Sequence, residues 1–584
     1  MLRYNAPIDD MMFLYEKFNK DPHHDALGYL NFYTPKYVRS LLEKSSSFAS
    51  QTLLPLAPVG DEKPSYLENG EVRTPPGFKD AYNQYVKDGW TRLTCKKDHG
   101  GNAAPKTVSG FIDEIWSSSN LSFKLFSELA IGAYNCILCN ATDEIKNLYL
   151  PPIAEGRWGG TMCLTEEQCG TDLALVKTLA EPNDDGSFNL TGQKIYITSG
   201  EQDITENIIH LVLARTPDAP KGTKGLSLFL VPKVLVNSDG SLGVRNKVRA
   251  SHVYDKMGIK GVPTCAIEFE SAKAIQIGKK FEGLKNMFVM MNLERTKVGL
   301  HGLGLSETAL QNALHFAKTR KQGSGSDGKT IPIIKHADIK KQLLKMKSLV
   351  EGERALGFWL SQQTDISLDH DDNVIRKQAS DFVALLTPVV KSFFTDLGME
   401  ITSDAVQIYG GRGYLKDQGI ELLYRDNRIT SIYEGTNAIQ ALDLIYRKIG
   451  TKENDIVGKF LNLINQNVRV FKNNKINEMK KQFHEYLKLM IDYTNWLRDH
   501  LSKNVNDAKS SATDYQRSLG YISIAYMWIL MCEKSKTVNE NFEKDKLMTA
   551  KFYFQRILPQ IKLYYENALK GSSDIMEFNF SAGK

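Results

Sequence analysis

Apolar residues between Asp80 and Leu150 return at three- and four-residue spacings, as in Phe111, Ile112, Ile115 and then Phe123, Phe126, Leu129, Ile131, which predicts helices. From Gly160 to about Phe269 the period falls to two. Phe188–Ser199, Ile208–Ala214, Leu226–Val231 and Ala266–Phe269 are rich in β-branched and aromatic residues, and turn clusters such as Pro182-Asn-Asp-Asp-Gly186 and Pro217–Gly222 separate them, so a domain of short strands is expected there. After Lys279 long helical periodicities return through Leu300–Lys318, Ile339–Gln363, Asn373–Leu397 and Ala438–Ile449. A further set, Ile456–Phe471, Ile476–Ser502, Asp514–Lys534 and Asp545–Leu569, reads as a separable bundle behind the polar Gly450-Thr-Lys-Glu-Asn-Asp455.

The expected fold class is therefore α+β and multidomain. An N-terminal extension (1–79) precedes an N-terminal α-helical domain (80–159), a central β domain (160–279), a four-helix-type bundle (280–450) and an additional C-terminal helical domain (451–584). No βαβ alternation is visible, which disfavours a doubly wound nucleotide fold.

Composition narrows the class. With 584 residues, 42% apolar and 24% charged, the chain is neither disordered nor fibrous and is long enough for several cores with clefts. The net charge of +6 lies wholly in residues 451–584, where 21 Lys and Arg face 15 Asp and Glu. That excess reads either as a solvated surface or as a docking face for an acidic partner, and it lacks the density of a nucleic-acid stripe. Seven cysteines without framework spacing favour a reducing compartment. Cys136-Ile-Leu-Cys139 sits in an apolar run and reads as a packed helix face, and no metal site is expected. The N-terminus lacks the apolar core of a secretory signal, and the apolar run Tyr521–Cys532 is too short to span a bilayer, so a cytoplasmic protein without transmembrane segments is expected.

Four motifs invite chemistry. Gly323-Ser-Gly-Ser-Asp-Gly-Lys-Thr330 fits the phosphate-loop pattern at every position, but a helix precedes it and Ile331-Pro-Ile-Ile follows, the wrong context for a strand-loop-helix cradle. Gly299, Gly302 and Gly304 run through a helical pattern and read as close helix packing. Gly410-Gly-Arg-Gly-Tyr414 ends a helix abruptly, either as a plain cap or as a loop bringing backbone donors to a cofactor. Glu434, in Ser431-Ile-Tyr-Glu-Gly-Thr436, is either an acid near a helix N-terminus or a base whose pKa is raised by desolvation.

Read in order, Met162-Cys-Leu-Thr-Glu-Glu-Gln-Cys-Gly-Thr-Asp172, Gly192-Gln-Lys-Ile-Tyr-Ile-Thr-Ser-Gly200, Gln407-Ile-Tyr-Gly-Gly-Arg-Gly413 and Tyr424-Arg-Asp-Asn-Arg-Ile-Thr-Ser-Ile-Tyr-Glu-Gly-Thr436 resemble the acyl-CoA dehydrogenase family over about residues 80–449. Tyr4-Asn-Ala-Pro, Asp10-Met-Met-Phe and the extra C-terminal helices look like its long bacterial branch, which includes 3-(methylthio)propanoyl-CoA dehydrogenases. The resemblance implies FAD, with Met162, Leu164, Thr165, Gly170, Thr171, Tyr196 and Thr198 along the flavin ring. Tyr196 replaces the family's usual Trp or Phe but keeps a stacking face. It further implies that Arg320 reaches the pyrophosphate of a neighbouring subunit's FAD, with Gln407, Gly410, Gly411 and Thr436 also at the cofactor of a homodimer. The usual Arg-Lys-Thr-Phe-Gly reads Arg320-Lys-Gln-Gly-Ser here. Thr171, Glu294, Arg295 and Gly435 fall at the acyl-CoA, and Glu434 falls at the catalytic base.

The implied activity is oxidation of an acyl-CoA to a trans-2-enoyl-CoA, as in the β-oxidation of fatty acids, with electrons passed to an electron-transfer flavoprotein. An acyl-CoA oxidase shares the chemistry and differs in letting oxygen reach the reduced flavin. A DNA-binding flavoprotein of the same fold is permitted by the basic C-terminal region, although the intact Tyr-Glu-Gly-Thr and the interspersed Glu478, Glu485, Asp492 and Asp499 weigh against nucleic acid as a partner.

Overall fold

The computed structural model describes residues 2–18, 21–449 and 455–581. The Gly450–Asn454 part of the expected linker lies outside them. The chain forms two compact units, one of Lys44–Arg295 and one of Met1–Glu43 with Thr296–Lys584.

In the first unit, helices Lys106–Ser119, Leu121–Asn140 and Asp143–Ala154 lead into a seven-stranded sheet. Its strands are β1 (Trp158–Cys163), β2 (Leu179–Pro182), β3 (Phe188–Thr198), β4 (Asn207–Arg215), β5 (Leu226–Pro232), β6 (Val248–Val253) and β7 (Thr264–Ile277). The order is β6-β7-β3-β2-β4-β1, and β5 pairs with both β7 and β4, so the pairings close a ring. The pair β1–β4 is parallel, with Met162 opposite Leu211.

Two strand expectations need correction. Ala266–Phe269 is only part of the first half of the 14-residue β7. Register shifts at Cys265/Ile267 and Glu270/Ala272 break its alternation, and Ser271 takes φ +59°, so the sequence shows a short run where the backbone keeps pairing. Ile208–Ala214 and Leu226–Val231 are buried on both faces rather than alternating, because β4 and β5 lie inside the unit.

The second unit is helical. Helix Gly283–Thr319 begins in the first unit and ends in this one, beside Ala337–Asp369, Asn373–Tyr409 and the short Asn437–Asp443, which continues as a π-helical turn over Leu444–Ile449. A Cβ on Gly302 would stand 2.7 Å from the Phe394 carbonyl, so the small residue permits the helix contact expected for it. The segment expected at 545–569 is two helices, Glu540–Arg556 and Gln560–Ala568, separated at Pro559, which cannot supply an interior helical N–H. Helix Ala512–Ser535 packs on the longer helices: Trp528 Nε1 donates to the Ser348 carbonyl at 3.0 Å, and the rings of Phe393 and Tyr521 lie 4.7 Å apart, edge to face.

Two stretches, Leu121–Asn140 and Asn373–Tyr414, are long and apolar enough to cross a membrane, although neither holds a long unbroken apolar run. Of the most apolar 18 residues of each, 83% and 78% are buried inside the protein, as in core helices.

Candidate active site

The first unit carries the segment expected along a flavin ring. After β1 the chain leaves the sheet at Leu164, and one buried carboxylate pins the loop that follows. Glu166 accepts from Lys194 Nζ (2.8 Å), the Thr178 hydroxyl (2.6 Å) and the backbone N–H groups of Lys177 (2.8 Å) and Thr178 (3.0 Å). Burial alone would raise the Glu166 carboxyl, but the Lys194 charge and these hydrogen bonds outweigh it and hold it at about 2. Lys194 also donates to the Leu164 carbonyl at 3.0 Å, and the Ile195 N–H donates to the Thr165 carbonyl at 2.9 Å, so the loop is stitched to β3. Met162, Leu164 and Thr165 are half-buried, whereas Gly170 and Thr171 are exposed.

Two residues after Lys194, the Tyr196 backbone takes φ +59°, a left-handed conformation that costs a non-glycine residue about 1–2 kcal/mol. The residue is 60% exposed, and its ring centroid lies 4.9 Å from that of Tyr254, so a face is presented with support from one side. Thr198 pairs with Thr264 across the sheet. Glu294 is buried close to Gly132, and Arg295 lies 5.6 Å over the Phe288 ring.

The second unit carries the carboxylate expected as a base. Glu434 (φ +56°) and Gly435 (φ +84°) form two successive left-handed residues, and the Thr436 hydroxyl then caps helix Asn437–Asp443 at the Ile439 N–H. Two buried side chains take the carbonyls of the bend: Gln440 Nε2 donates to Glu434 O and Lys391 Nζ to Gly435 O, each at 2.9 Å. Beside it, His301 Nδ1 lies 2.9 Å from the Tyr433 hydroxyl. The half-buried Glu434 is thus fixed by bonds to its own backbone neighbourhood.

In the same unit a cavity of about 530 Å³ is lined by Arg3, His315, Arg320, Lys321 and Arg412 together with Phe316 and Tyr409, whose rings stack at 4.1 Å. Arg3 is held through reciprocal bonds of its backbone with the Asn312 side chain, N–H to Oδ1 at 3.0 Å and Nδ2 to carbonyl at 2.8 Å. Gly410 (φ +60°) ends helix Asn373–Tyr409, and neither Gly410 nor Gly411 has an atom within 4 Å of where a Cβ would stand. Gln407 is exposed on the last turn. A cationic cavity beside open glycine backbone suits a dinucleotide pyrophosphate, and the presented Tyr196 face suits a ring system, so the residues of each unit fit the expected FAD.

Gly323–Thr330 forms the turn of a hairpin between strands Lys321–Ser324 and Thr330–Pro332 and opens no helix, so it is not a phosphate cradle. Cys136 and Cys139 are free thiols on helix Leu121–Asn140.

The sequence reading missed the two lysines behind these segments. Lys194 stands at an inward register of β3, and Lys391 lies within Val389-Val390-Lys391-Ser392-Phe393 on a helix otherwise apolar there. A lone lysine at a core position was the available signal, since lysine is almost never fully buried without partners.

Family models match in chain order: the acyl-CoA dehydrogenase middle domain over residues 161–272, the acyl-CoA dehydrogenase C-terminal domain over 282–449 and the acetyl-CoA dehydrogenase C-terminal-like domain over 457–579. The chain is 41% identical over 451 residues to a 3-methylmercaptopropionyl-CoA dehydrogenase of Ruegeria pomeroyi, covering 77% of this chain and 76% of the relative. In fold it is similar to Caenorhabditis elegans ACDH-11 in complex with C11-CoA (TM-score 0.81, 20% identity, 99% of this chain and 96% of that one). It is also similar to an acyl-CoA dehydrogenase from Bacillus anthracis complexed with FAD (TM-score 0.74, 20% identity, 94% and 89%). On the identity to the Ruegeria enzyme and the three matched domains, the chain belongs to the acyl-CoA dehydrogenase family of oxidoreductases.

Proposed function

We propose that the chain is an FAD-dependent dehydrogenase that converts a short acyl-CoA to its trans-2-enoyl-CoA, with Glu434 as the base and an electron-transfer flavoprotein as acceptor. The single observation that carries the reading is the Glu434–Gly435 bend, a strained turn held by two dedicated side chains in the Tyr-Glu-Gly-Thr motif. Strain that the surroundings over-determine is a mark of functional positions.

The α-proton of a thioester is too weakly acidic for a carboxylate in water, so the residues must both polarise the carbonyl and aim the base. The left-handed bend presents backbone N–H groups at the point where the Glu434 carboxylate leaves the chain, which suits an oxyanion-type donor next to the base. FAD, when bound, supplies the acceptor for the hydride that leaves the β-carbon. Met162, Leu164, Thr165, Gly170, Thr171, Tyr196 and Thr198 would hold its ring, Tyr196 by stacking. Arg320, Gln407, Gly410, Gly411 and Thr436 would hold its nucleotide portion, with Arg320 serving the partner in a homodimer. Thr171, Glu294, Arg295 and Gly435 would meet the acyl-CoA. In this reading residues 451–584 form an added domain behind the catalytic bundle of 280–450.

The 41% identity to the Ruegeria enzyme makes 3-methylmercaptopropionyl-CoA the first substrate to try, beside straight-chain acyl-CoAs of similar length, because one methylene changes binding by only about 1–3 kcal/mol. Anaerobic mixing should bleach the flavin of the wild type. Glu434→Gln nearly keeps volume and leaves the backbone donors in place, so flavin content and acyl-CoA affinity should persist while bleaching slows by about 10²–10⁴-fold. Bleaching of Glu434→Gln near the wild-type rate would show that another group is the base.

A further inference from the structure

The Glu434 loop is fastened from behind by a chain of polar groups that ends in the C-terminal helices. Lys391, fully buried on helix Asn373–Tyr409, donates to the Gly435 carbonyl at 2.9 Å and to Asn437 Oδ1 at 2.8 Å. Asn437 Nδ2 in turn donates to Asp396 Oδ1 at 2.6 Å and to the Thr395 hydroxyl at 3.0 Å. Asp396 Oδ2 lies 3.4 Å from Arg517 Nη1. Arg517, on helix Ala512–Ser535, also donates to Glu400 at 2.6 Å and to the Tyr564 hydroxyl at 3.0 Å. Arg517 and Tyr564 both fall in the stretch matched by the C-terminal-like family model.

These bonds act on the backbone that orients the base. In a trans peptide the N–H points opposite to the C=O. With the Glu434 carbonyl taken by Gln440 and the Gly435 carbonyl by Lys391, the N–H groups of Gly435 and Thr436 are turned to the other side of the chain. A non-glycine residue at φ +56° relaxes unless its surroundings prevent it, and here the tethered carbonyls do so. Burying an ammonium is costly, and the bonds that offset the cost here include those to the backbone of the Glu434 loop and to Asn437 just after it.

We propose that Lys391 is the positioning residue of Glu434, and that Arg517 of the added C-terminal helices keeps Lys391 and Asn437 in register through Asp396. The proposal rests on the reading of Glu434 as the base. It gives the C-terminal helices a part in the chemistry beyond covering apolar surface. Burial raises the Asp396 carboxyl and the Arg517 charge opposes it, so loss of Arg517 would favour the protonated acid and weaken the acceptor that holds Asn437.

The test uses the FAD-loaded full chain and anaerobic stopped-flow bleaching by 3-methylmercaptopropionyl-CoA, protiated or deuterated at the α-carbon. Lys391→Met should keep flavin content and KM within about threefold while the bleaching rate falls by about 10–100-fold, the range set by a misplacement of about 1 Å, and the α-deuterium isotope effect should rise. Arg517→Met should slow bleaching by about 3–10-fold, and Arg517→Lys should restore most of it. An inactive Glu434→Gln beside a Lys391→Met that bleaches within twofold of wild type overturns the positioning role alone. A Glu434→Gln that bleaches normally overturns the base assignment and this proposal with it. If Lys391→Met does not fold, the Arg517 pair decides: Arg517→Met equal to wild type refutes the relay, and a deficit that lysine repairs supports it.

Discussion

Glu166→Gln should open the loop that follows β1 without unfolding the protein. The carboxylate collects two hydrogen bonds from Thr178, one from the Lys177 N–H, one from the Gln168 amide and one from Lys194, whose side chain is fully buried. Glutamine keeps the shape and one oxygen that can accept from Lys194 and Thr178, but it removes the negative charge that neutralises the buried Lys194 ammonium and turns an NH2 donor toward the Lys177 N–H and the Gln168 amide. Removing one partner of a buried ion pair costs about 3–5 kcal/mol, whereas removing both is cheaper because no charge is stranded. The double variant Glu166→Gln, Lys194→Met should therefore lose less than Glu166→Gln alone, by at least about 1 kcal/mol. Hydrogen exchange across residues 164–178 reads this as a local opening free energy, and 3 kcal/mol corresponds to a loss of protection of about 10²-fold. The pair also sets a pH window. The Glu166 carboxyl is held at about 2 in the folded chain against 4.5 ordinarily, so its contribution is complete above pH 4.5 and is lost as pH falls toward 2. Protection unchanged within threefold in Glu166→Gln, or a double variant as open as the single one, would refute the argument.

His210, buried in β4 with Nδ1 2.8 Å from the Thr161 hydroxyl, is pushed down to about 3 by burial and by the Lys233 and Arg245 charges. The unfolded chain takes up that proton below about pH 6.5, so stability should fall between pH 6.5 and 3 by on the order of 5 kcal/mol, less in His210→Gln; an imidazole titrating near 6.5 by NMR would contradict this. Arg320→Ala should weaken retention of FAD by about 10–100-fold, as the loss of one charged hydrogen-bonding group predicts, and flavin content equal to wild type after dialysis would count against a pyrophosphate contact.

The helix-sheet-helix order was legible because long periodic segments carry their own evidence. Helix Ala337–Asp369 was visible as Ile339–Gln363 and helix Asn477–Lys503 as Ile476–Ser502. What the pattern missed has specific physical causes. Helix Asn373–Tyr409 runs well past Leu397, where the exposed Ser403 and the half-buried Glu400 and Asp404, both paired with Lys345, dilute the apolar count without ending the helix. Strand β7 looked short because two bulges reset its alternation. At the site, the motif residues Glu434, Tyr196 and Arg320 were readable by resemblance, yet their conformations were not. Positive φ at Glu434 and Tyr196 has no signature in the residue type, since neither is glycine. Lys391 and Lys194 stayed hidden because their partners are 44 and 28 residues away, beyond any local pattern.

The basic excess of residues 451–584 acquires a different meaning once its partners are traced. Read along the sequence, it was a solvated face or a dock for something acidic. In the folded chain Lys546 is buried against Asp10 and Glu351, and the half-buried Arg517 pairs with Asp396 and Glu400; all four acids lie outside that region. One contact runs the other way, from Lys347 to Asp545 at 2.9 Å. Burial alone would raise the Asp10 carboxyl, but the charges of Lys546 and Arg354 outweigh it and hold it well below the usual carboxylate range. For Lys546 and Arg517, then, the acidic partners are supplied by the chain itself, with Asp10 536 residues from Lys546. Cutting the chain near Gly450 would take Lys546 from Asp10 and Glu351, which keep Arg354 and Lys347, would take Arg517 from Asp396, and would uncover the apolar surface around Phe393 on which helix Ala512–Ser535 packs. The C-terminal helices thus complete the charge pattern of the helical unit, and through Asp396 the same pairing reaches the loop that carries Glu434.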